Sequence, residues 1–182
     1  MKMIDVGEKE RTERVAIATT RVMMKPETAR MVRDNAVEKG NVVEAAKLAA
    51  VMATKRTPDV IPLCHPIALT GVNVEVSPQE SSVEIRVQVR TVDRTGVEME
   101  ALMGAAAAAL TVYDMLKRND KGMVVKDLQL EHKSGGRTGD WNRPAAAEAS
   151  ATASEASKAR GARGERRTAK RPGSASRAKK RS

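Results

Sequence analysis

The run V-N-V-E-V-S-P-Q-E-S-S-V-E-I-R-V-Q-V-R, from Val72 to Arg90, changes polarity at every residue on both sides of a short polar break. Val72, Val74 and Val76 alternate with Asn73 and Glu75, and Val83, Ile85, Val87 and Val89 alternate with Glu84, Arg86, Gln88 and Arg90. A period of two places all the apolar side chains on one face, so the stretch predicts an antiparallel hairpin with one buried and one wet face. Ser77–Ser82 reads as the turn.

Upstream lies K-R-T-P-D-V-I-P-L-C-H-P, Lys55 to Pro66, with Pro58, Pro62 and Pro66 four residues apart. Each proline fixes its own φ and biases its predecessor away from the α region, which predicts a stiff, extended connector through which no helix runs. It carries the only cysteine, Cys64, and one of two histidines, His65. A rigid segment presenting polar side chains between regular elements is a common way to build a site. Before it, Arg14–Met24 is rich in β-branched residues and predicts a strand. Pro26 opens a helix with apolar Ala29, Val32, Ala36 and Val37, stopped by Gly40. Asn41, with Glu44 three residues on, predicts the capped start of a second helix reaching about Arg56.

Downstream of the hairpin a long helix is expected from about Val97 to Arg118, with Met99, Met103, Ala106, Leu110, Tyr113 and Lys117 on one core-facing stripe. The alanines at 105–109 make it thin enough for another backbone to approach closely, which suggests tight packing on the sheet or on a partner subunit. Met123–Val125 and Leu128–Leu130 suggest one or two closing strands, and Lys133–Asp140 a flexible loop. The order strand–helix–helix–strand–strand–helix–strand predicts an α+β fold with helices on one face of an antiparallel sheet, most naturally a ferredoxin-like βαββαβ core.

The formal charge of +10 is uneven over the 182 residues. Residues 143–182 hold 12 Lys and Arg against 3 Asp and Glu, which leaves only +1 on the rest. Two segments follow: a nearly neutral domain over 1–142 and a basic Ala/Ser/Lys/Arg-rich tail over 143–182. The tail's composition cannot bury enough apolar surface to offset the entropy of ordering, so it reads as disordered. It could touch nucleic acid electrostatically or serve only as a solvated extension. With no Phe, one Tyr and one Trp, the domain offers no platform for stacking bases, so nucleic-acid binding is not expected of it. A lone cysteine forms no intrachain disulfide and fits a reducing compartment. The polar N-terminus lacks a signal-peptide core, and no apolar run approaches the roughly 20 residues of a membrane helix. A soluble, cytoplasmic protein is expected.

Several groups could carry chemistry. Neighbours in an extended segment point in opposite directions, so Cys64 and His65 make a poor nucleophile–base pair. The Cys and His content is too small for a metal site unless carboxylates join, and no metal and no cofactor is assigned. His65 reads either as an acid–base or binding group or as a histidine satisfied by backbone. Asp114 and Lys117, three apart on a helix, read either as a proton-transfer pair or as a surface ion pair. Glu100 lies fourteen residues before Asp114, about 20 Å along the axis on a similar side. Lys39, Lys55 and Lys133 with their neighbouring glycines or arginine suit phosphates only weakly, and none has P-loop spacing.

Taken together, K-G-N-V (Lys39–Val42), the proline segment (Lys55–Pro66), T-G-V-E-M-E-A-L (Thr95–Leu102), T-V-Y-D-M-L-K (Thr111–Lys117) and K-S-G-G (Lys133–Gly136) resemble the molybdenum cofactor biosynthesis protein C family, the cyclic pyranopterin monophosphate synthases. The resemblance spans roughly residues 3–140. It implies a lyase that converts a cyclised dihydro-GTP derivative to cyclic pyranopterin monophosphate with release of pyrophosphate. It also implies a ferredoxin-like homohexamer, a trimer of dimers, with the active site between subunits. Leu63, Cys64 and His65 match the family's substrate-binding segment, and Met99 and Glu100 its second binding pair. Asp114 matches the catalytic aspartate, Lys117 and Lys39 the lysines needed for turnover, and Lys133 and Arg14 further basic pocket residues. Variants at Lys39 and Asp114 are expected to complement each other if these residues meet across a subunit boundary. A basic-tailed nucleic-acid-associated protein is the alternative. The tail departs from the family pattern and carries no assigned role.

Overall fold

In a computed structural model that describes residues 1–137 and 139–144, the hairpin is present and longer than its alternating core. β2 runs Leu69–Pro78 and β3 Ser82–Asp93, paired antiparallel, with Gln79 N–H donating to Ser82 O at 2.7 Å across the turn. The first strand, β1 (Thr12–Met23), lies beside β3, and β4 (Val124–Ser134) beside β1, again antiparallel. A two-residue β5 (Trp141–Asn142) closes the edge, giving the order β2-β3-β1-β4-β5. The first four strands therefore have the ferredoxin-like order. Met1–Arg143 form one compact unit. The tail read as disordered lies outside the described residues apart from Arg143 and Pro144.

The register explains the alternation. Ala16, Ala18, Thr20 and Val22 of β1 pair with Val89, Val87, Ile85 and Val83 of β3, and all eight are buried beneath the helices. Their neighbours Thr19, Arg21, Glu84, Arg86 and Arg90 occupy the other, helix-free face. The helices are α1 (Pro26–Arg33), α2 (Val42–Thr54), α3 (Thr57–Val60) and α4 (Glu98–Leu116). Asn41 caps α2 as its sequence predicts, its Oδ1 accepting from Glu44 N–H at 3.0 Å, while the Glu44 carboxylate pairs with Lys47 instead of reaching back.

Three expectations are corrected. The proline connector is not extended throughout: its first half is the single turn α3, with Pro58 in the opening turn, where no backbone donor is needed. The first helix stops at Arg33, because Asn35 turns the chain at φ 50° well before Gly40, and Val37 drops into the core outside any helix. On α4 the buried side is not the stripe of large residues. Ala101, Gly104, Ala105, Ala108, Ala109, Val112 and Leu116 face the core, while Leu110 is 63% exposed. Small residues win that side because α4 is pressed against α2 and β3. A Cβ at Gly104 would stand 2.8 Å from Thr54 Cγ2 and 3.1 Å from Val87 Cγ1. Against the expectation that no apolar run approaches membrane-helix length, α4 is long and apolar enough to cross one by length and composition alone, but half of it is buried as the core helix of the sheet.

Beyond α4, buried Asp120 accepts N–H donors from Lys25 at 2.9 Å and Gly122 at 3.0 Å, and these donors hold its carboxyl below the usual range. It thereby ties the start of α1 to the turn after α4. Lys133 and Ser134 belong to β4, so the loop expected over 133–140 begins at Gly135.

Candidate active site

Two clusters of polar side chains form at opposite ends of α4. At its N-terminal end the turn after α3, with Cys64 N–H donating to Ile61 O at 3.1 Å, presents Leu63, Cys64 and His65 beside the first turn of the helix. These three, with Glu98 and Met99, line a cavity of about 490 Å³, and Val6 and Lys9 of the N-terminal arm line it too. Glu100 lies beneath, only 2% exposed. Cys64 Sγ donates to Glu100 Oε1 at 3.4 Å, and Glu100 Oε2 has no hydrogen-bond partner among the described residues. Burial raises the Glu100 carboxyl above its ordinary value. The Cys64 thiol is pushed up to about 11, first by burial and then by the neighbouring Glu100 charge. A thiol so disposed is a hydrogen-bond donor, not a nucleophile. His65 makes no side-chain hydrogen bond among the described residues.

Glu98 pairs with Lys133 at 3.2 Å. The E-M-E spacing contained the signal: residues two apart on a helix face opposite ways, so one glutamate turns to Lys133 and the other into the core. Arg14, at the start of β1, is held by backbone. Its Nε donates to Asp93 O at 2.9 Å and its Nη2 to Arg94 O at 3.2 Å. Gly136, at φ +75°, leaves room for that guanidinium. Arg14, Gly136 and Arg137 line a second cavity of about 600 Å³, with Lys9, Thr12, Glu8 and Glu10.

At the C-terminal end Asp114 sits between two lysines. Lys39 Nζ lies 2.8 Å from Oδ2 and Lys117 Nζ 2.7 Å from Oδ1, and Lys39 also donates to Asp114 O at 3.0 Å. The early end of α1 makes this contact possible, because the chain through Val37 and Gly40 (φ 102°) then passes the end of α4. Hydrogen bonds from Lys117 and Lys39 lower the Asp114 carboxyl to about 2, and Asp114 raises Lys117 in turn. Asp114 and Lys117 both remain charged at neutral pH. Lys39 and Asp114 thus meet within one chain, which corrects the expected complementation between them.

The structure joins Leu63, Cys64, His65, Met99 and Glu100 in one cluster, sets Lys133 and Arg14 beside it, and places Lys39, Asp114 and Lys117 in another. The two do not meet in one chain, because Glu100 and Asp114 are about 20 Å apart along the helix at 1.5 Å per residue. Among the described residues no three His, Cys, Asp or Glu side chains gather as metal ligands. A separate recess of about 320 Å³ lies on the helix-free sheet face, around Arg86, Gln129 and Glu131, and includes none of the candidate site residues expected from sequence.

A sequence profile of the MoaC family matches residues 3–136. The chain is 53% identical over 144 residues to the cyclic pyranopterin monophosphate synthase of Thermomicrobium roseum, covering 78% of this chain and 87% of that protein. It is 49% identical over 142 residues to the protein of the same name from Streptomyces coelicolor, covering 78% and 84%. It is 51% identical over 144 residues to that from Heliobacterium modesticaldum, covering 78% and 91%. Identity at this level over the whole described fold leaves one conclusion: the chain belongs to the MoaC family.

Proposed function

We propose that the chain is a cyclic pyranopterin monophosphate synthase of molybdenum cofactor biosynthesis. It is a lyase converting (8S)-3',8-cyclo-7,8-dihydroguanosine 5'-triphosphate to cyclic pyranopterin monophosphate with release of diphosphate. The observation that carries this is about 50% identity, over nearly all of the relatives' length, to proteins of that name. The geometry supports it chemically. Glu100 Oε2, buried and unpartnered, suits a polar base-derived ring, with His65 beside it and Leu63, Cys64 and Met99 as walls. Arg14, Lys133 and Lys39 supply positive charge for a triphosphate and its leaving pyrophosphate.

Asp114 and Lys117 are assigned the proton transfers that ring opening and reclosure need. Without substrate the two lysines hold Asp114 too acidic for an effective base. An anionic substrate that draws either lysine away raises the Asp114 carboxyl toward the working range, so binding arms the base.

The homohexamer, a trimer of dimers with the site between subunits, is part of the same proposal. It is supported by the separation of the two clusters and by Leu48 (62% exposed), Met52 and Leu110, apolar side chains on the outward surfaces of α2 and α4. A cytoplasmic location goes with the free thiol and the biosynthetic role. The test is direct: the purified protein incubated with the cyclic dihydro-GTP derivative releases pyrophosphate and forms the pterin product. Failure of wild-type protein to do either refutes the assignment.

A further inference from the structure

We propose that Lys9, on the N-terminal arm, is a further substrate-binding residue that grips the anionic phosphate chain between the two cavities it lines. This rests on the functional reading above and extends it to a segment outside the helices and the sheet. In residues 1–10 the side chains are exposed except for Val6 and Lys9, which are half-buried. A local turn sets both inward: Asp5 Oδ1 accepts from Gly7 N–H at 2.8 Å, and Lys9 N–H donates to Val6 O at 3.1 Å. Val6 is apolar and its burial explains itself. Lys9 is not, and among the described residues its ammonium has no ion pair.

A lysine ordinarily keeps its charge in water, and partial desolvation without a counter-charge is unfavourable. An arm that turns its lysine inward is therefore set up for an anion that arrives with the ligand. Among the described residues Lys9 alone lines both the cavity over Leu63, His65 and Met99 and the cavity over Arg14 and Gly136. The carboxylates nearby do not displace this reading. Glu98, in the first cavity, is engaged by Lys133, and Glu8 and Glu10, at the second, are exposed. A molecule with its ring over Glu100 and its phosphates toward Arg14 passes Lys9 on the way, and the ammonium would hold the chain at that crossing.

The experiment compares wild type, Lys9→Met, Lys9→Arg and a control at an exposed lysine in the turn after α4, Lys121→Met. Each is measured by steady-state kinetics on the cyclic dihydro-GTP derivative and by calorimetric titration with inorganic pyrophosphate. Lys9→Met raises KM and the pyrophosphate Kd about tenfold or more, the scale of one charge-assisted hydrogen bond, with kcat little changed. Lys9→Arg recovers most of the loss, and Lys121→Met behaves as wild type. Unchanged KM and Kd in Lys9→Met overturn the proposal, as does a fall in kcat at constant KM. If wild type itself does not turn over the substrate, the functional reading fails, and the pyrophosphate titration still decides whether Lys9 grips the anion.

Discussion

Replacing Gly136 with alanine tests how Arg14 is held in place. A Cβ at Gly136 would stand 2.1 Å from Arg14 Nη1 and 2.8 Å from Cζ, so the guanidinium must leave its seat. Leaving breaks its hydrogen bonds to Asp93 O and Arg94 O, one part-buried and one exposed. A hydrogen bond from a charged donor contributes about 1.5–3 kcal/mol, less where water competes. Alanine at φ +75° costs a further 1–2 kcal/mol, roughly, for its left-handed backbone. The expected loss of stability is about 3 kcal/mol, read by urea denaturation. If Arg14 grips phosphate, Gly136→Ala and Arg14→Ala lower kcat/KM by similar factors. The double variant is then no less active than Arg14→Ala alone, because both changes remove the same group. Wild-type stability and kcat/KM in Gly136→Ala would refute this, and so would losses that multiply in the double variant. Gly135→Ala should be worse still, because its Cβ would lie 2.1 Å from the backbone oxygen of Glu13, which has no rotamer to retreat into.

Asp114→Asn and Lys117→Ala each lose roughly 10²–10⁴-fold in kcat while keeping the wild-type circular dichroism, and the double loss falls well short of their product. Folded Asp114→Asn turning over at the wild-type rate would return the pair to a surface ion pair. Re-formed mixtures of Asp114→Asn and Glu100→Gln subunits recover part of the activity, whereas mixtures of Asp114→Asn and Lys39→Ala stay inactive because these two residues serve one cluster. Inactivity of the first mixture would mean that complete sites lie within single subunits. Because the Cys64 thiol is pushed up to about 11, iodoacetamide labels it slowly at pH 8 and faster as the pH rises toward 11. Glu100→Gln removes a neighbouring charge that disfavours the thiolate and quickens labelling; a thiol already fast at pH 8 in wild type contradicts the pairing.

The hairpin was legible because a half-buried strand writes its two faces into alternate residues, and β3 does so without a break. The buried side of α4 was not. Alanine and methionine are both apolar, and periodicity cannot say which of two apolar stripes will be chosen. The choice depends on how closely α2 and β3 approach, which no local window contains. β4 was seen only in fragments because a bulge opposite Ile17 and Ala18 breaks its register and its helix-free face carries Gln129, Glu131 and His132. Pro58 was read as a barrier when it stands where a helix tolerates it. At the site, Asp114 and Lys117 were close in sequence and their contact followed from spacing. Lys39 joined them on the strength of a resemblance, since seventy-five residues separate it from Asp114. The arm that lines the cavity over Leu63 and His65 left no mark, because a turn of polar residues looks the same whether it covers a cavity or faces water.

The two-ended use of α4 has a consequence for heterozygous mixtures. On the proposed sharing of sites between neighbours, the 19-residue helix contributes at each tip to a different site. A subunit damaged at one tip then silences one site and leaves its other tip useful to an intact neighbour. A subunit damaged at both tips silences two, although it folds and assembles normally. Co-expressed with wild type, the doubly damaged chain acts as a poison whose effect grows faster than its share of the population, and the singly damaged chain merely dilutes.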